Sequence, residues 1–235
     1  MVAVLLLSAM AAGGPGRPPA EVRAAFTFGV ENSWIRVQNI GTANANIEVD
    51  YYDENGRLAG RDVCPTAGVC PALVPGEGWT FFQGQSPSLP PGFRGSAVIT
   101  SDQPLVAILA KDVIRDGQFF LIAGDTLSLG AGSQRLYIPL VSNQDGPLAD
   151  WNGRFVIQNM SPTVTACVTI TYLSNYTDTE VYWDPYNPKA AGVTRLSGCP
   201  MGGRPLPPHG SIFRDPETMG VPARFTGSSL ARPFT

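Results

Sequence analysis

Charge is what this sequence has least of. Charged residues fill 15% of its 235 positions, and 16 basic against 19 acidic residues leave a net charge of −3. No basic field exists to hold a polyanion, so nucleic acid is excluded as a partner. Histidine is nearly missing as well: His209 stands alone, in the turn Pro207-Pro208-His209-Gly210. No Gly-x-Ser-x-Gly elbow, Cys-His motif or His-Glu-x-x-His helix accompanies it, which removes the familiar histidine-dependent chemistries and makes it a surface turn residue. Long apolar runs are absent too. The longest, residues 2–12, is too short to cross a bilayer core of about 30 Å, and no other segment looks membrane-spanning. Nowhere does an apolar stripe recur at helical spacing.

Residues 2–12 end in small residues and run into a Gly/Pro-rich spacer at 13–19. They match the hydrophobic part of a secretory signal, with cleavage after Ala11 or Ala12, although the usual positively charged start is missing. A buried N-terminal strand is the other reading. The four cysteines suit an exported chain in an oxidising compartment. Cys64 and Cys70 bracket a short loop and can close on each other, and Cys167 and Cys199 would then form the second pair. A zinc site of all four is the rival, but neither pair has knuckle spacing.

What the chain does have is repetition. Trp34-Ile35-Arg36-Val37-Gln38-Asn39 is answered by Arg154-Phe155-Val156-Ile157-Gln158-Asn159, Cys70-Pro71 by Cys199-Pro200, and Leu73-Val74-Pro75 by Leu206-Pro207-Pro208. Gly92-Phe93-Arg94-Gly95-Ser96 is answered by Ala223-Arg224-Phe225-Thr226-Gly227-Ser228. A period of roughly 120–130 residues fits one small domain per copy. Residues 25–30, 34–39, 46–52, 79–83, 97–100, 105–113 and 119–123 alternate with period two or are rich in β-branched and aromatic residues. Turn signals such as Asp53-Glu54-Asn55-Gly56 separate them.

The expected fold is therefore all-β: two tandem antiparallel β-sandwich modules of immunoglobulin-like type, the second apparently incomplete. Residues 1–23 form the signal-like segment and spacer, 24–134 the first module and 135–235 the second. The run 105–110 is apolar on both parities and is expected to be covered on both faces. At a fixed offset Glu48 and Asp50 would fall on core residues of the second copy. One inserted residue near Ser161-Pro162 restores the parity, giving Ile47/Val168, Val49/Ile170 and Tyr51/Tyr172 on the inner face. After Gly227-Ser228 the second copy lacks counterparts of 97–123. A truncated repeat explains this, and so does a sheet completed by a strand of another subunit, with 25–30 as donor.

Tyr137-Ile138-Pro139-Leu140-Val141-Ser142-Asn143, Trp151-Asn152-Gly153, Leu89-Pro90-Pro91-Gly92-Phe93-Arg94-Gly95-Ser96 and Ser101-Asp102-Gln103-Pro104 together resemble β-sandwich repeats found in tandem on secreted and surface proteins of filamentous bacteria such as the Chloroflexota. The resemblance covers most of 25–228. It implies an extracellular or cell-surface module without assigned catalysis, and neither a cofactor nor a metal is expected.

Among recognition candidates, Tyr176, Tyr182, Trp183 and Tyr186 crowd a Pro-containing insertion of the second copy. They are either stacking groups for a sugar or protein partner or a small satellite core on the sandwich edge. Asn175-Tyr176-Thr177 is a glycan-acceptor triplet. The oxygens of 143–153 lack the ordered acids of a calcium loop and read as a polar hairpin. Lys111, one of two lysines, lies in an apolar strand and is a candidate for an isopeptide bond with an Asn or Asp such as resembling adhesin modules form, yet a strand lysine reaching water needs no such role. The expectation is a non-catalytic stalk or adhesion module whose partners are surface proteins, neighbouring copies or polysaccharide. A carbohydrate-binding accessory of a secreted enzyme and a strand-exchanged fibre subunit are the alternatives.

Overall fold

The computed structural model describes residues 2–5, 30–67, 69–115, 118–127, 135–143, 155–174, 181–190, 192–215, 221–222 and 225–233. Among these, the regular structure is antiparallel β-strand apart from a 3-10 turn at Gln83–Gln85. The chain is all-β.

Strand β1 (Val2–Leu5) precedes a first group made of β2 (Val30–Asn39), β3 (Ile47–Asp53), β4 (Leu58–Cys64), β5 (Gly78–Phe82), β6 (Gly95–Ser101), β7 (Leu105–Arg115) and β8 (Gln118–Leu127). These form two sheets, ordered β5-β2-β7-β8 and β4-β3-β6. Period-two alternation sends Ile35 and Val37 of one sheet and Ile47, Val49 and Tyr51 of the other into a common buried cluster. Two sheets closing on one core are consistent with a β-sandwich. One detail is corrected: β7 lies centrally in its sheet, but only Leu105, Ala107 and Leu109 turn inward. On its other face Val106 and Ile108 are 43% and 38% exposed and only Ala110 is covered.

The second group comprises β9 (Leu136–Asn143), β10 (Phe155–Asn159), β11 (Ala166–Ser174), β12 (Val181–Trp183), β13 (Arg204–Leu206), β14 (Ser211–Arg214) and β15 (Phe225–Pro233). Its sheets run β12-β11-β15-β9, with β13 also on β11, and β1-β10-β14. They enclose a second cluster that includes Ile138, Phe155, Ile157, Ile170, Tyr172 and Phe225. The parity argument holds, since Ile47, Val49, Tyr51, Val168, Ile170 and Tyr172 are all buried.

The repeated motifs acquire physical meaning here. Asn39, buried at the end of β2, donates from Nδ2 to the carbonyls of Ala43 (2.7 Å) and Leu73 (2.8 Å) and accepts from Gly41 N–H at Oδ1. Asn159, equally buried, donates to Val164 (2.7 Å) and Leu206 (2.9 Å) and accepts from Ser161 N–H. The first loop contact spans four residues and the second five, which locates the inserted residue. Gln38 and Gln158 reach the carbonyls of Gly76 and His209 in the same way.

The Phe-x-Gly motif is a matter of space. A Cβ on Gly95 would lie 2.0 Å from the Tyr52 carbonyl and 2.5 Å from the Phe93 ring; on Gly227 it would lie 1.9 Å from the Leu173 carbonyl and 2.6 Å from the Phe225 ring. The glycine lets the phenylalanine two residues earlier fold over its own strand and meet a core tyrosine edge-on. Tyr51 meets Phe93 at 6.3 Å and Tyr172 meets Phe225 at 6.5 Å.

Both disulfides form, Cys64–Cys70 and Cys167–Cys199, and no described cysteine is free. They suit an oxidising environment. Loop-closure entropy ranks them: about 2 kcal/mol for the separation of 6 and between 3 and 4 kcal/mol for the separation of 32. A paired Cys167→Ala, Cys199→Ala variant is expected to lose more stability in urea than the Cys64→Ala, Cys70→Ala pair. Asn159→Ala, which strands buried carbonyls, is expected to cost roughly 1–3 kcal/mol, while the exposed Asn55→Ala should stay within about 0.5 kcal/mol.

Candidate functional site

The four aromatic residues do not form one platform. Tyr176, with the Asn175-Tyr176-Thr177 triplet, lies outside the described residues. Tyr182 and Trp183 are neighbours on β12, so the pleat sends them to opposite faces. Tyr182 packs on the second core, edge-on to Phe225 at 5.7 Å. Trp183 faces outward and is 36% exposed. Tyr186 is half-buried, with the guanidinium groups of Arg204 and Arg214 at 5.6 and 5.9 Å from its ring.

Trp183 finds other companions across the sheet. Register pairs Trp183 with Thr171, Thr171 with Leu230 and Leu230 with Tyr137, one row over four strands. Three strand spacings separate its ends by about 14 Å. Tyr137 is 70% exposed, and Leu173 in the adjoining row is exposed as well. In the sequence Tyr137 stands out only as part of a motif, because cross-strand rows depend on pairing that no local pattern reveals. On the corresponding face of the first group Arg61 and Asp50 stand where the second has Trp183 and Thr171, and Arg61 is paired to Asp50 (2.5 Å) and Glu48 (3.2 Å). The outer parity expected for Glu48 and Asp50 is observed.

Each group carries an inward-facing acid that sequence reading missed, Asp62 partly exposed and Asp184 buried. Asp62 stands opposite Val49, and Asp184 N–H bonds the Ile170 carbonyl, so the two acids hold equivalent places. Asp62 accepts from Tyr51 Oη (2.8 Å) and Ser88 Oγ (2.7 Å). Asp184 instead pairs with Arg214, Nε to Oδ2 2.7 Å, both almost wholly buried. Arg214 occupies the position that Phe81 holds in the first group, since Gly78 and Ser211 pair with Gln38 and Gln158 respectively. Burial pushes both tyrosine hydroxyls above their ordinary value. At Tyr51 the Gln83 hydrogen bond opposes this and Asp62 adds to it; at Tyr172 Asp184 adds and Arg214 opposes.

The two groups meet at a defined junction. His209 adopts φ +57°, a left-handed conformation uncommon outside glycine, at the position where the first group has Gly76 at φ +83°. Its ring stacks on Tyr52, 4.4 Å between centroids and 18° between planes. Beside it, Ser211 N–H donates to the Glu54 carbonyl (3.2 Å), and Arg94 lies 3.9 Å over the Phe213 ring while pairing with Glu54. Gly56, at φ +77° in the β3–β4 turn, is pressed so closely that a Cβ would sit 1.9 Å from the Pro208 carbonyl. The surface-turn reading of His209 thus becomes a junction residue. A cavity of about 620 Å³ opens next to this contact, bordered by Tyr51, Phe93 and Arg94 on one side and Phe155, Phe213 and Arg214 on the other.

No group of three or more His, Cys, Asp or Glu suited to a metal occurs among the described residues, and residues 144–153 of the candidate calcium stretch lie outside them. Lys111, partly buried on β7, stands opposite Ser33. Because the neutral phenol is favoured in the fold, the contribution of Tyr51 and Tyr172 is complete below the unfolded value near pH 10 and is lost as pH rises through the raised folded value. In an alkaline titration followed by tyrosinate absorbance, ionisation of Tyr51 and Tyr172 should coincide with unfolding, and Tyr172→Phe should lower the amplitude of that step. The chain matches no protein-family model, and it shows no significant match to a curated protein or to a solved structure.

Proposed function

We propose that this chain is a non-catalytic structural and adhesion protein of the cell exterior, in which two tandem immunoglobulin-like β-sandwich modules form a stiff stalk. The observation that carries this reading is the junction. A stacked pair contributes about 0.5–1.5 kcal/mol and a cation–π contact about 0.5–2 kcal/mol. Together they favour one orientation by roughly fivefold or more, where a polar linker would leave the modules free. The disulfides and the doubled motif support a repeat protein working in an oxidising setting, as the resemblance to surface repeats implies.

His209→Gly tests the stalk. Gly76 already serves at the equivalent place, so this variant keeps the turn and loses only the stack on Tyr52. Spin labels on the two modules should report a narrow distance distribution in the native chain and a broadened one in the variant, at unchanged secondary structure. A broad native distribution would sink the reading.

The row of Trp183, Leu230 and Tyr137 favours a second reading, carbohydrate binding, because flat exposed aromatics across a sheet suit sugar rings. Retention on insoluble polysaccharide should then weaken in both Trp183→Ala and Tyr137→Ala with the fold intact. Absence of retention on every glycan tried would count against it.

A further inference from the structure

Strand β10 is buried along all five residues, from Phe155 to Asn159. A strand covered on both faces needs a ladder partner at each edge, because buried N–H and C=O groups left unpaired there lose their bonds to water without replacement. One edge pairs with β14. The other pairs with β1, in the register Val2↔Asn159, Ala3↔Gln158, Val4↔Ile157 and Leu5↔Val156.

In the first group the same edge is taken by β7, in the register Leu105↔Asn39, Val106↔Gln38, Ala107↔Val37 and Ile108↔Arg36. Asn39 and Asn159 hold the same corner, so Val2 stands for Leu105, Ala3 for Val106, Val4 for Ala107 and Leu5 for Ile108. The sequences agree in kind. Val2-Ala3-Val4-Leu5-Leu6-Leu7 and Leu105-Val106-Ala107-Ile108-Leu109-Ala110 are both unbroken apolar runs without proline. Two segments of one chain, far apart in sequence, thus meet equivalent edges in the same direction and register.

We propose that the edge of β10 is a strand-acceptor site, recognising an extended apolar segment that runs antiparallel to it, and that in this chain β1 is the occupant, the counterpart of β7 in the second sandwich. Main-chain hydrogen bonds supply the binding, and apolar side chains supply the selectivity. The 24 residues between Leu5 and Val30 reach about 80 Å when extended, ample for the segment to fold back onto the same chain. The role goes beyond the stalk reading and does not need it. It also assigns the signal-like run a structural use, since cleavage after Ala11 or Ala12 would remove the strand.

The test is a pair of cysteines at Ala3→Cys and Gln158→Cys, directly opposite in the register, in the full chain under mild oxidation. A cross-link within one chain, identified by peptide mapping, is expected. No cross-link, cross-links only between copies, or a native protein beginning at residue 12 or 13 would each overturn the assignment. A second measurement does not depend on the engineered pair. A chain lacking residues 1–8 should bind a synthetic peptide of those residues and gain thermal stability, and a Leu5→Pro peptide, which lacks the N–H facing Val156, should bind at least tenfold more weakly. Equal binding of the two peptides, or no binding, refutes the site.

Discussion

Each sandwich depends on one buried amide. Asn39 and Asn159 end the strand that carries the centre of one sheet, and each must turn the chain into the other sheet through a loop that leaves carbonyls facing inward. A carboxamide meets the need because it offers two donors and an acceptor on one small plane. Its donors reach the loop and the Leu73 or Leu206 segment, and its acceptor takes a backbone N–H two residues on. Aspartate would present acceptors to carbonyls, and leucine would leave them unpaired. The corner thereby sets where the following strand begins, and with it which residues of β3 and β11 face the core. Everything built on that parity, from Ile47 to Tyr172, inherits the constraint.

The interior acids show two solutions to one placement. Asp62 is satisfied by hydroxyls of Tyr51 and Ser88, whereas Asp184 receives a guanidinium where the first sandwich has Phe81. A buried ion pair gains little net stability, since desolvation offsets attraction. What it does enforce is partnership: Arg214 comes from one sheet and Asp184 follows a strand of the other, and neither tolerates the loss of its mate. The pair therefore ties the two sheets in register at the end of the sandwich that also borders the junction cavity.

Much of this is legible in the sequence where a local rule governs. Alternation locates β2, β3, β5, β6, β7 and β8, and parity alone demands the inserted residue that Asn159 spans. Strand β4 escapes because Leu58–Cys64 holds a glycine, an arginine and an aspartate and is half exposed, so its strand state comes from pairing with β3. Asn55-Gly56 marks the turn before it, although only Gly56 takes the positive φ. Asp62 and Asp184 are invisible because unequal loops shift them relative to the motifs on either side. Tyr182 and Trp183, by contrast, are separable by parity alone: adjacent strand residues never share a face. Whether β1 is a strand is not decidable locally, since an apolar run of that length suits a leader and a ladder equally.

The two halves agree inside and differ outside, and that asymmetry bears on function. Amide corner, edge-on tyrosine, crowded glycine and interior acid recur because a core has few solutions at native density. The outer faces carry no such obligation, yet they diverge in kind: Arg61 with Glu48 and Asp50 on one, Trp183, Leu230 and Tyr137 on the other. A charged ladder keeps an edge soluble and discourages pairing. The exposed rings of Trp183 and Tyr137 do the reverse, since they cost solvation without adding to the core. The core needs nothing from such residues, which is the physical ground of the carbohydrate-binding proposal.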